Sequence, residues 1–262
     1  MRRFYQENWL GIAFSSFTDL SFFHLAGSGF YEKFYTALFS MYDSWDALPQ
    51  SWRIAKTIQA VWLARQAEEL SVALHEYRKN RPLRVFAVGS GLGFVEYNFL
   101  KELPETELHI SEPGAIGMDW IRACIPPERV HIGAGMSALP QNLRFDMIYL
   151  SAVDYFMRQH EFVRLLKELR LRLVRGGRII SLSASFLEDD GMGSACAHAG
   201  KTALYALLHC AGIRRKQFWG WLRTREEYLA GIREAGYEDI RAGRLADEAG
   251  TFWMSGSAAA QY

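Results

Sequence analysis

A glycine-rich loop that directly follows an apolar segment constrains the fold of this chain more than any other feature. Residues 83–88 read Leu-Arg-Val-Phe-Ala-Val, and residues 89–93 read Gly-Ser-Gly-Leu-Gly. The apolar segment is typical of a buried β-strand. Glycines at alternate positions allow a tight turn and let a ligand approach the backbone closely. The pattern predicts a strand, a turn and a helix whose first N–H groups have no partner within the helix.

Downstream of residue 80 the chain alternates between strand-like and helix-like segments. A helix is predicted from about Gln159 to Val174, before a turn at Gly176 and Gly177, and a later helix opens at Thr224. Such alternation is typical of parallel βαβ units with right-handed crossovers. Strands are predicted at residues 83–88, 108–111, 130–132, 145–150 and 178–182, and near residues 239–242 and 251–255.

Residues 1–80 have a different character, because they are rich in aromatic side chains and lack strand-like segments. One helix is predicted to begin near Ser28 and a longer one near Ser51. The longer helix would bury an apolar stripe made of Trp52, Ile54, Ala55, Ile58, Val61, Trp62, Leu70 and Leu74. The polar residues 78–82 mark the boundary with the α/β region. We therefore expect an N-terminal helical cap over residues 1–80 and an α/β domain over residues 81–262, with residues 188–221 inserted beside the cleft.

Composition narrows the classes of function. The chain has 262 residues, of which 50% are hydrophobic, and a formal net charge of +1. We therefore expect neither a nucleic-acid surface nor attachment to an anionic membrane. It has no apolar run of about eighteen residues and no signal-peptide pattern. Cys124, Cys196 and Cys210 form no CxxC pair, which favours free thiols in the cytoplasm. The seven histidines show no metal-binding spacing, so no metal site is expected.

Glu112 is the second feature that indicates a ligand. It ends the second predicted strand, nineteen residues after Gly93. An acid at this place can accept hydrogen bonds from both hydroxyls of a ribose. A strand–helix turn without a ligand is the alternative interpretation of the loop. The preceding strand, the following helix and the terminal acid together favour a nucleotide site.

The loop spacing is G-x-G-x-G, because Phe94 occupies the place of the third glycine in the dinucleotide fingerprint G-x-G-x-x-G. This spacing is one of several features that occur together in a known family. The others are Glu112, the Phe145-Asp146 pair, the turn at residues 174–178 and the C-terminal helix at residues 226–236. From about Leu83 to the C-terminus, the sequence resembles the class I S-adenosylmethionine-dependent methyltransferase family.

The resemblance implies an α/β fold with a Rossmann-like, seven-stranded and mostly parallel sheet, helices on both faces and an antiparallel last strand. It also implies that S-adenosylmethionine lies across the C-terminal ends of the strands. The residues expected to bind this cofactor are Gly89, Ser90, Gly91, Gly93, Glu112, Met136 and Ser151.

Two positions depart from the family's pattern. The family usually has an acid two residues before the first glycine, where this chain has Ala87. It usually has another acid after the third strand, where this chain has Met136, whose side chain can pack on adenine but accepts hydrogen bonds only weakly. We therefore expect the methionine end of the cofactor to be held differently, with the N-terminal segment as a candidate.

Catalytic candidates follow the fourth strand and lie in the insertion. They are Asp154, Tyr155 and His198, of which His198 could act as a general base near neutral pH. Helix capping and packing under the cap are the alternative roles of Asp154 and Tyr155. Weaker candidates are Ser183 and Ser185, for which the end of a strand is the favoured interpretation, and His24 and His209, for which a structural role is favoured.

These observations predict a methyltransferase that acts on a small molecule in specialised biosynthesis, without nucleic-acid or membrane partners. The sequence is compatible with a homodimer as well as with a monomer. One alternative is an enzyme that transfers the aminocarboxypropyl group, or cyclises the cofactor to azetidine-2-carboxylate, and releases methylthioadenosine. Another is a degenerate fold that only binds a ligand or a subunit.

Overall fold

The computed structural model describes residues 42–112, 118–133, 136, 139–154, 157–183, 223–247 and 251–258. The predicted helix near Ser28 and the predicted insertion at residues 188–221 lie outside these ranges. Within them, the apolar segments form one sheet whose strand order is β3-β2-β1-β4-β5-β7-β6. The strands are β1 (Arg84–Val88), β2 (Glu107–Glu112), β3 (Val130–Ile132), β4 (Phe145–Ser151), β5 (Leu173–Ser183), β6 (Tyr237–Arg244) and β7 (Phe252–Ala258).

The sheet has the predicted mixture of directions. Strands β1 to β5 pair in parallel with their neighbours. Strand β7 is antiparallel to both β5 and β6. The described helices are α1 (Gln50–Ala73), α2 (His75–Arg78), α3 (Phe94–Glu102), α4 (Met118–Arg122), α5 (Gln159–Arg170) and α6 (Arg225–Glu234), with short 3-10 helices at Trp45–Ala47 and Pro127–Arg129.

Helices cover both faces of the sheet, as predicted. Alternate strand residues point to opposite faces, so that each strand supplies both cores. On one face α1, α3 and α4 pack over Val85, Ala87 and Tyr149. On the other face α5 and α6 pack over Phe86, Ile148 and Met254. The sheet is thus buried on both faces. Because strands β1 to β5 are parallel, their C-terminal ends lie together at one edge of the sheet.

Helix α1 is present, and its predicted apolar stripe is only partly buried: Leu70 and Leu74 lie in the core, whereas Ile54 is exposed. Its buried face is made of Ala60, Leu63, Ala64, Ala67 and Leu70, whereas Ile54 is 48% exposed. Alanines on this face let the helix lie close to the sheet and to α3, which it contacts. Small alanines that the predicted stripe left out thus make up much of the packed face.

The boundary between α5 and β5 also differs from the prediction. Helix α5 ends at Arg170, and β5 already begins at Leu173 rather than after the two glycines. Strand β5 passes through Gly176 with φ +73°, and its register against β4 shifts there. Apolar residues before the glycines suit a helix or a strand equally, and here they join the sheet core.

An ion pair joins the start of β1 to the start of β4. Asp146 is fully buried, and its two carboxylate oxygens accept hydrogen bonds from the guanidinium of Arg81 at 2.6 and 2.7 Å. The backbone N–H of Arg84 donates a third hydrogen bond, at 2.8 Å. Arg81, one of the polar residues before β1, thus anchors this end of the strand to β4.

Helix α6 begins as its sequence predicts. The N–H of Glu227 donates to Oγ1 of Thr224, and the N–H of Thr224 donates to the Glu227 carboxylate, which forms a capping box. Gly236 follows the helix with φ +82°. Among the described residues, no helix combines the length and apolarity needed to cross a membrane.

Candidate functional site

The glycine loop lies between β1 and α3, at the C-terminal edge of the sheet. Gly89, Gly91 and Gly93 have φ angles of +69°, +57° and +69°. This left-handed region is accessible to glycine at little cost and is disfavoured for other residues. The N–H of Gly89 donates to the carbonyl of Ser111 at 2.8 Å, which ties the loop to β2. The predicted strand–turn–helix unit is therefore present.

Two of the loop glycines also need their small size. A Cβ atom on Gly89 would lie 2.6 Å from Cγ2 of Val153, and one on Gly93 would lie 2.2 Å from Cγ1 of Ile121. Both distances are far below van der Waals contact. The loop is thus packed against Val153, which follows β4, and against Ile121 of α4.

Glu112 is brought to the loop, as the sequence predicts. Its carboxylate accepts a hydrogen bond of 2.8 Å from the N–H of Gly91, and the residue is only 4% exposed. A buried carboxylate at the end of a strand is a strong acceptor for hydroxyl groups. The acid and the loop backbone therefore form one polar site.

The other predicted cofactor residues surround this loop. Ser90 has a buried hydroxyl oxygen without a hydrogen-bond partner. Ser151 ends β4, and the next residue, Ala152, has a φ of +58° that is unusual for a residue with a Cβ atom. Met136 is half-buried and packs against the core on the α5 face. Their roles in binding remain predictions.

Asp154 lies in a buried polar cluster. Its carboxylate accepts hydrogen bonds from the hydroxyls of Ser183, at 2.9 Å, and Tyr228. The guanidinium of Arg223 donates to the backbone carbonyls of Asp154 and Met157. These contacts join the ends of β4 and β5 to α6, which supports the structural role of Asp154 and Ser183. The other candidates, Tyr155, His198, Ser185, His24 and His209, lie outside the described residues.

A second polar group was missed by the sequence analysis. Glu96, in the first turn of α3, is 1% exposed, and its Oε1 accepts a hydrogen bond of 2.9 Å from the hydroxyl of Tyr149 on β4. Its Oε2 is buried without a partner. Lys56 on α1 donates to Oε1 of Gln59 at 3.1 Å and to Oγ of Ser151 at 3.5 Å.

Burial perturbs the acid–base behaviour of this group. Desolvation raises the pKa of Glu96 to about 7, against the lowering effects of its hydrogen bonds and of Lys56. Desolvation lowers the pKa of Lys56, against the opposing effects of Glu96 and Asp247. Ionisable groups whose pKa values are perturbed by burial beside groups of opposite charge are candidates for a functional site. A charged residue among apolar neighbours is the sequence signal that could have identified both groups. Glu96 interrupts the apolar start of a helix, and Lys56 interrupts a packed helical face.

Aromatic residues that precede or begin α1 contact the outer side of the loop. The indole N–H of Trp45 donates to the carbonyl of Leu92 at 2.9 Å, and its ring stacks on Tyr97 with centroids 4.2 Å apart. Trp52 stacks on Phe94 at 6.1 Å. These two aromatic side chains therefore pack against the loop and against α3. Across the described ranges, no group of three or more histidine, cysteine or carboxylate side chains could hold a metal ion.

No protein-family profile and no curated protein matches the chain. Solved structures share its fold. PigF, in a structure with SAH, is 22% identical, with a TM-score of 0.51 over 66% of this chain and 50% of PigF. A Nostoc punctiforme protein described as a candidate O-methyltransferase is 14% identical, with a TM-score of 0.51 over 73% of this chain and 56% of that protein. The pyocyanin biosynthetic protein PhzM is 19% identical, with a TM-score of 0.50 over 76% of this chain and 57% of PhzM.

The chain thus spans little more than half the length of these proteins. The described residues of this chain form a mostly parallel seven-stranded sheet with an antiparallel β7, as the resemblance implied. The chain has the α/β fold of the class I S-adenosylmethionine-dependent methyltransferases.

Proposed function

We propose that this protein is an S-adenosylmethionine-dependent methyltransferase that acts on a small-molecule acceptor. The observation that carries the proposal is the carboxylate of Glu112, held 2.8 Å from the N–H of Gly91 at the C-terminal edge of the sheet. Parallel α/β sheets bind their ligands at this edge, beside the point where the strand order reverses. Strand β1 lies at that point, between β2 and β4.

The residues present fit the cofactor. The loop offers backbone N–H groups at the start of α3, and Ser90 has a buried hydroxyl oxygen that lacks a partner. Glu112 would accept hydrogen bonds from the ribose hydroxyls, and Met136 would pack against the adenine ring. PigF, which shares this fold, has been solved with SAH, the form that S-adenosylmethionine takes after losing its methyl group.

The protein's part in the reaction would be to position two molecules. The bound cofactor would supply a methyl group attached to a sulfonium sulfur, and this carbon–sulfur bond breaks readily when a nucleophile attacks the methyl carbon in line with it. Holding the reacting atoms in contact can lower the barrier by roughly 7 to 11 kcal/mol. A base is needed only where the acceptor binds in its protonated form. Tyr155 and His198 are the candidates for that role, because Asp154 is engaged in the buried cluster with Ser183 and Tyr228.

A small acceptor is favoured by charge and by the structural neighbours. The net charge of +1 provides no strong attraction for nucleic acid. PhzM, a structural neighbour, is described as a biosynthetic protein for pyocyanin. The homodimer and the cytoplasmic location remain predictions from the sequence. The comparisons give no support to aminocarboxypropyl transfer or cofactor cyclisation.

Identification of the by-product tests the proposal. Purified protein would be incubated with S-adenosylmethionine and a panel of phenolic, amine and carboxylate acceptors, and the products would be identified by mass spectrometry. We expect S-adenosylhomocysteine together with an acceptor heavier by one methylene unit. The Glu112→Ala variant should lose this activity, while Glu105→Ala, an exposed acid before the same strand, should keep it.

Two results would contradict the proposal. Methylthioadenosine formed without an acceptor would establish the non-methylating alternative. Absence of binding heat with either S-adenosylmethionine or S-adenosylhomocysteine would support a degenerate fold.

A further inference from the structure

We propose that Lys56 and Glu96 bind the α-amino acid end of the cofactor, with Lys56 contacting its carboxylate and Glu96 its ammonium group. The inference rests on the proposed function, because it assigns residues to one end of the ligand named there. It concerns residues of α1 and α3 that lie outside the glycine loop and outside the end of β2.

Glu96 has an incomplete hydrogen-bond environment. One carboxylate oxygen accepts a hydrogen bond from Tyr149, but Oε2 is buried without a partner. A buried carboxylate oxygen without a donor is costly, and such atoms are rare in folded proteins. An ammonium group has three donors and a positive charge, so it would satisfy this oxygen.

Lys56 is in the complementary situation. Its ammonium group donates to two uncharged acceptors, Gln59 and Ser151. Within the described part of the chain, it forms no ion pair with a carboxylate. A desolvated ammonium group normally pairs with an anion. The carboxylate of an amino acid would provide that anion.

The two charges lie over neighbouring positions of β4. Tyr149, which contacts Glu96, and Ser151, which contacts Lys56, are two residues apart and therefore on the same face of the sheet. Ala87 is in register with Tyr149 on the adjacent strand β1. The methyl group of Ala87 leaves this part of the sheet face uncharged. The charges there come instead from Lys56 of α1 and Glu96 of α3.

The pair also lies beside the proposed ribose site. Glu96 follows Gly93 by three residues, and it interacts electrostatically with both Lys56 and Glu112. A ligand whose ribose contacts Glu112 would therefore extend along the loop towards Glu96 and Lys56. An α-amino acid carries one positive and one negative charge, which matches the two side chains. A purely structural pair would instead be expected to make direct contact.

Calorimetry with three related ligands tests the assignment. S-adenosylhomocysteine carries the whole amino acid end, its decarboxylated form keeps only the ammonium group, and methylthioadenosine has neither. The proteins are the wild type, Lys56→Met, Lys56→Arg and Glu96→Gln. Lys167→Met and Glu234→Gln serve as matched controls, since these two residues form an exposed ion pair between α5 and α6.

We expect Lys56→Met to weaken binding of S-adenosylhomocysteine by about 10- to 100-fold, the usual effect of a lost charged hydrogen bond. Binding of the decarboxylated form and of methylthioadenosine should stay within about twofold of the wild type. Glu96→Gln should weaken binding of S-adenosylhomocysteine and of its decarboxylated form, because both carry the ammonium group. It should leave binding of methylthioadenosine unchanged. Lys56→Arg should recover part of the affinity, and the control variants should bind all three ligands normally.

The outcomes separate the inference from the proposed function. If the wild type, Lys56→Met and Glu96→Gln bind S-adenosylhomocysteine equally well, the inference is wrong while the proposed function stands. Equal losses for methylthioadenosine would show that the substitutions disturb the fold, and would also overturn the assignment. Failure of the wild type to bind any of the three ligands would overturn the proposed function together with the inference.

Discussion

The carboxylate of Glu112 accepts a 2.8 Å hydrogen bond from the backbone N–H of Gly91, so that the acid at the end of β2 is fixed to the loop after β1. Glu112→Gln keeps an oxygen that can accept the Gly91 bond but removes the charge. We expect stability to change by less than about 1 kcal/mol, while the affinity for S-adenosylhomocysteine falls by about 10- to 100-fold.

Thermal unfolding and calorimetry check this prediction together. The exposed substitution Glu105→Gln is the control for a lost charge near the same strand. Unchanged affinity in Glu112→Gln would mean that the carboxylate serves the loop alone.

The glycines of the fold allow backbone strain to be separated from steric overlap. Gly93→Ala introduces both, because φ is +69° and the new methyl group would lie 2.2 Å from Ile121. Gly176→Ala introduces the positive φ alone, since its nearest neighbour is Leu74 at 3.4 Å. We expect a loss of about 1 to 2 kcal/mol for Gly176→Ala and about 1 to 3 kcal/mol more for Gly93→Ala.

Urea unfolding of the two variants measures both losses. Adding Ile121→Ala, which removes the overlapping Cγ1, should make the double variant lose less stability than the sum of the two single substitutions. Equal losses in the two alanine variants would contradict the close packing between the loop and α4.

The buried ion pair at the start of the domain should contribute strongly to stability. Asp146→Asn leaves the guanidinium of Arg81 beside a neutral amide, and we expect the free energy of unfolding to fall by about 3 kcal/mol or more. Glu234→Gln breaks the exposed pair with Lys167 and should cost less than about 1 kcal/mol. Denaturant unfolding distinguishes the two, and a small effect of Asp146→Asn would show that the pair is not the anchor of β1.

The pKa of Glu96 predicts a pH dependence of stability. Burial raises this pKa to about 7 from its ordinary value of 4.5. Between these values the folded state binds a proton that the unfolded state has released, so the contribution of Glu96 to stability falls as the pH rises. The full difference amounts to about 3 kcal/mol.

Unfolding of the wild type and of Glu96→Gln from pH 5 to pH 8 tests the sign. The difference between the two proteins is informative because His109 and His131, whose pKa values are lowered by burial, act in the opposite direction. Their unfolded forms bind protons below pH 6.5, which favours folding as the pH rises. Parallel stability curves for the two proteins would contradict a raised pKa for the buried Glu96.

Local patterns in the sequence predict much of this fold. The strands before Gly89 and before Glu112, and the capping box at Thr224, depend on residues that are close in the chain. The end of α5 could not be placed, because Leu173 and Val174 fit a helix and a strand equally. The contacts of Lys56 with Ser151 and of Glu96 with Tyr149 join residues 95 and 53 positions apart. Such contacts depend on how α1 and α3 pack over β4, which periodicity does not specify.

The register of Ala87 against Tyr149 has a consequence for how such a site can evolve. A carboxylate introduced at position 87 would enter the same buried layer as Glu96, and two like charges there would repel each other. The two positions are therefore expected to be epistatic, with an acid favoured at either one and penalised at both. A lineage that exchanges one arrangement for the other would pass more easily through an intermediate that carries a neutral residue at each position.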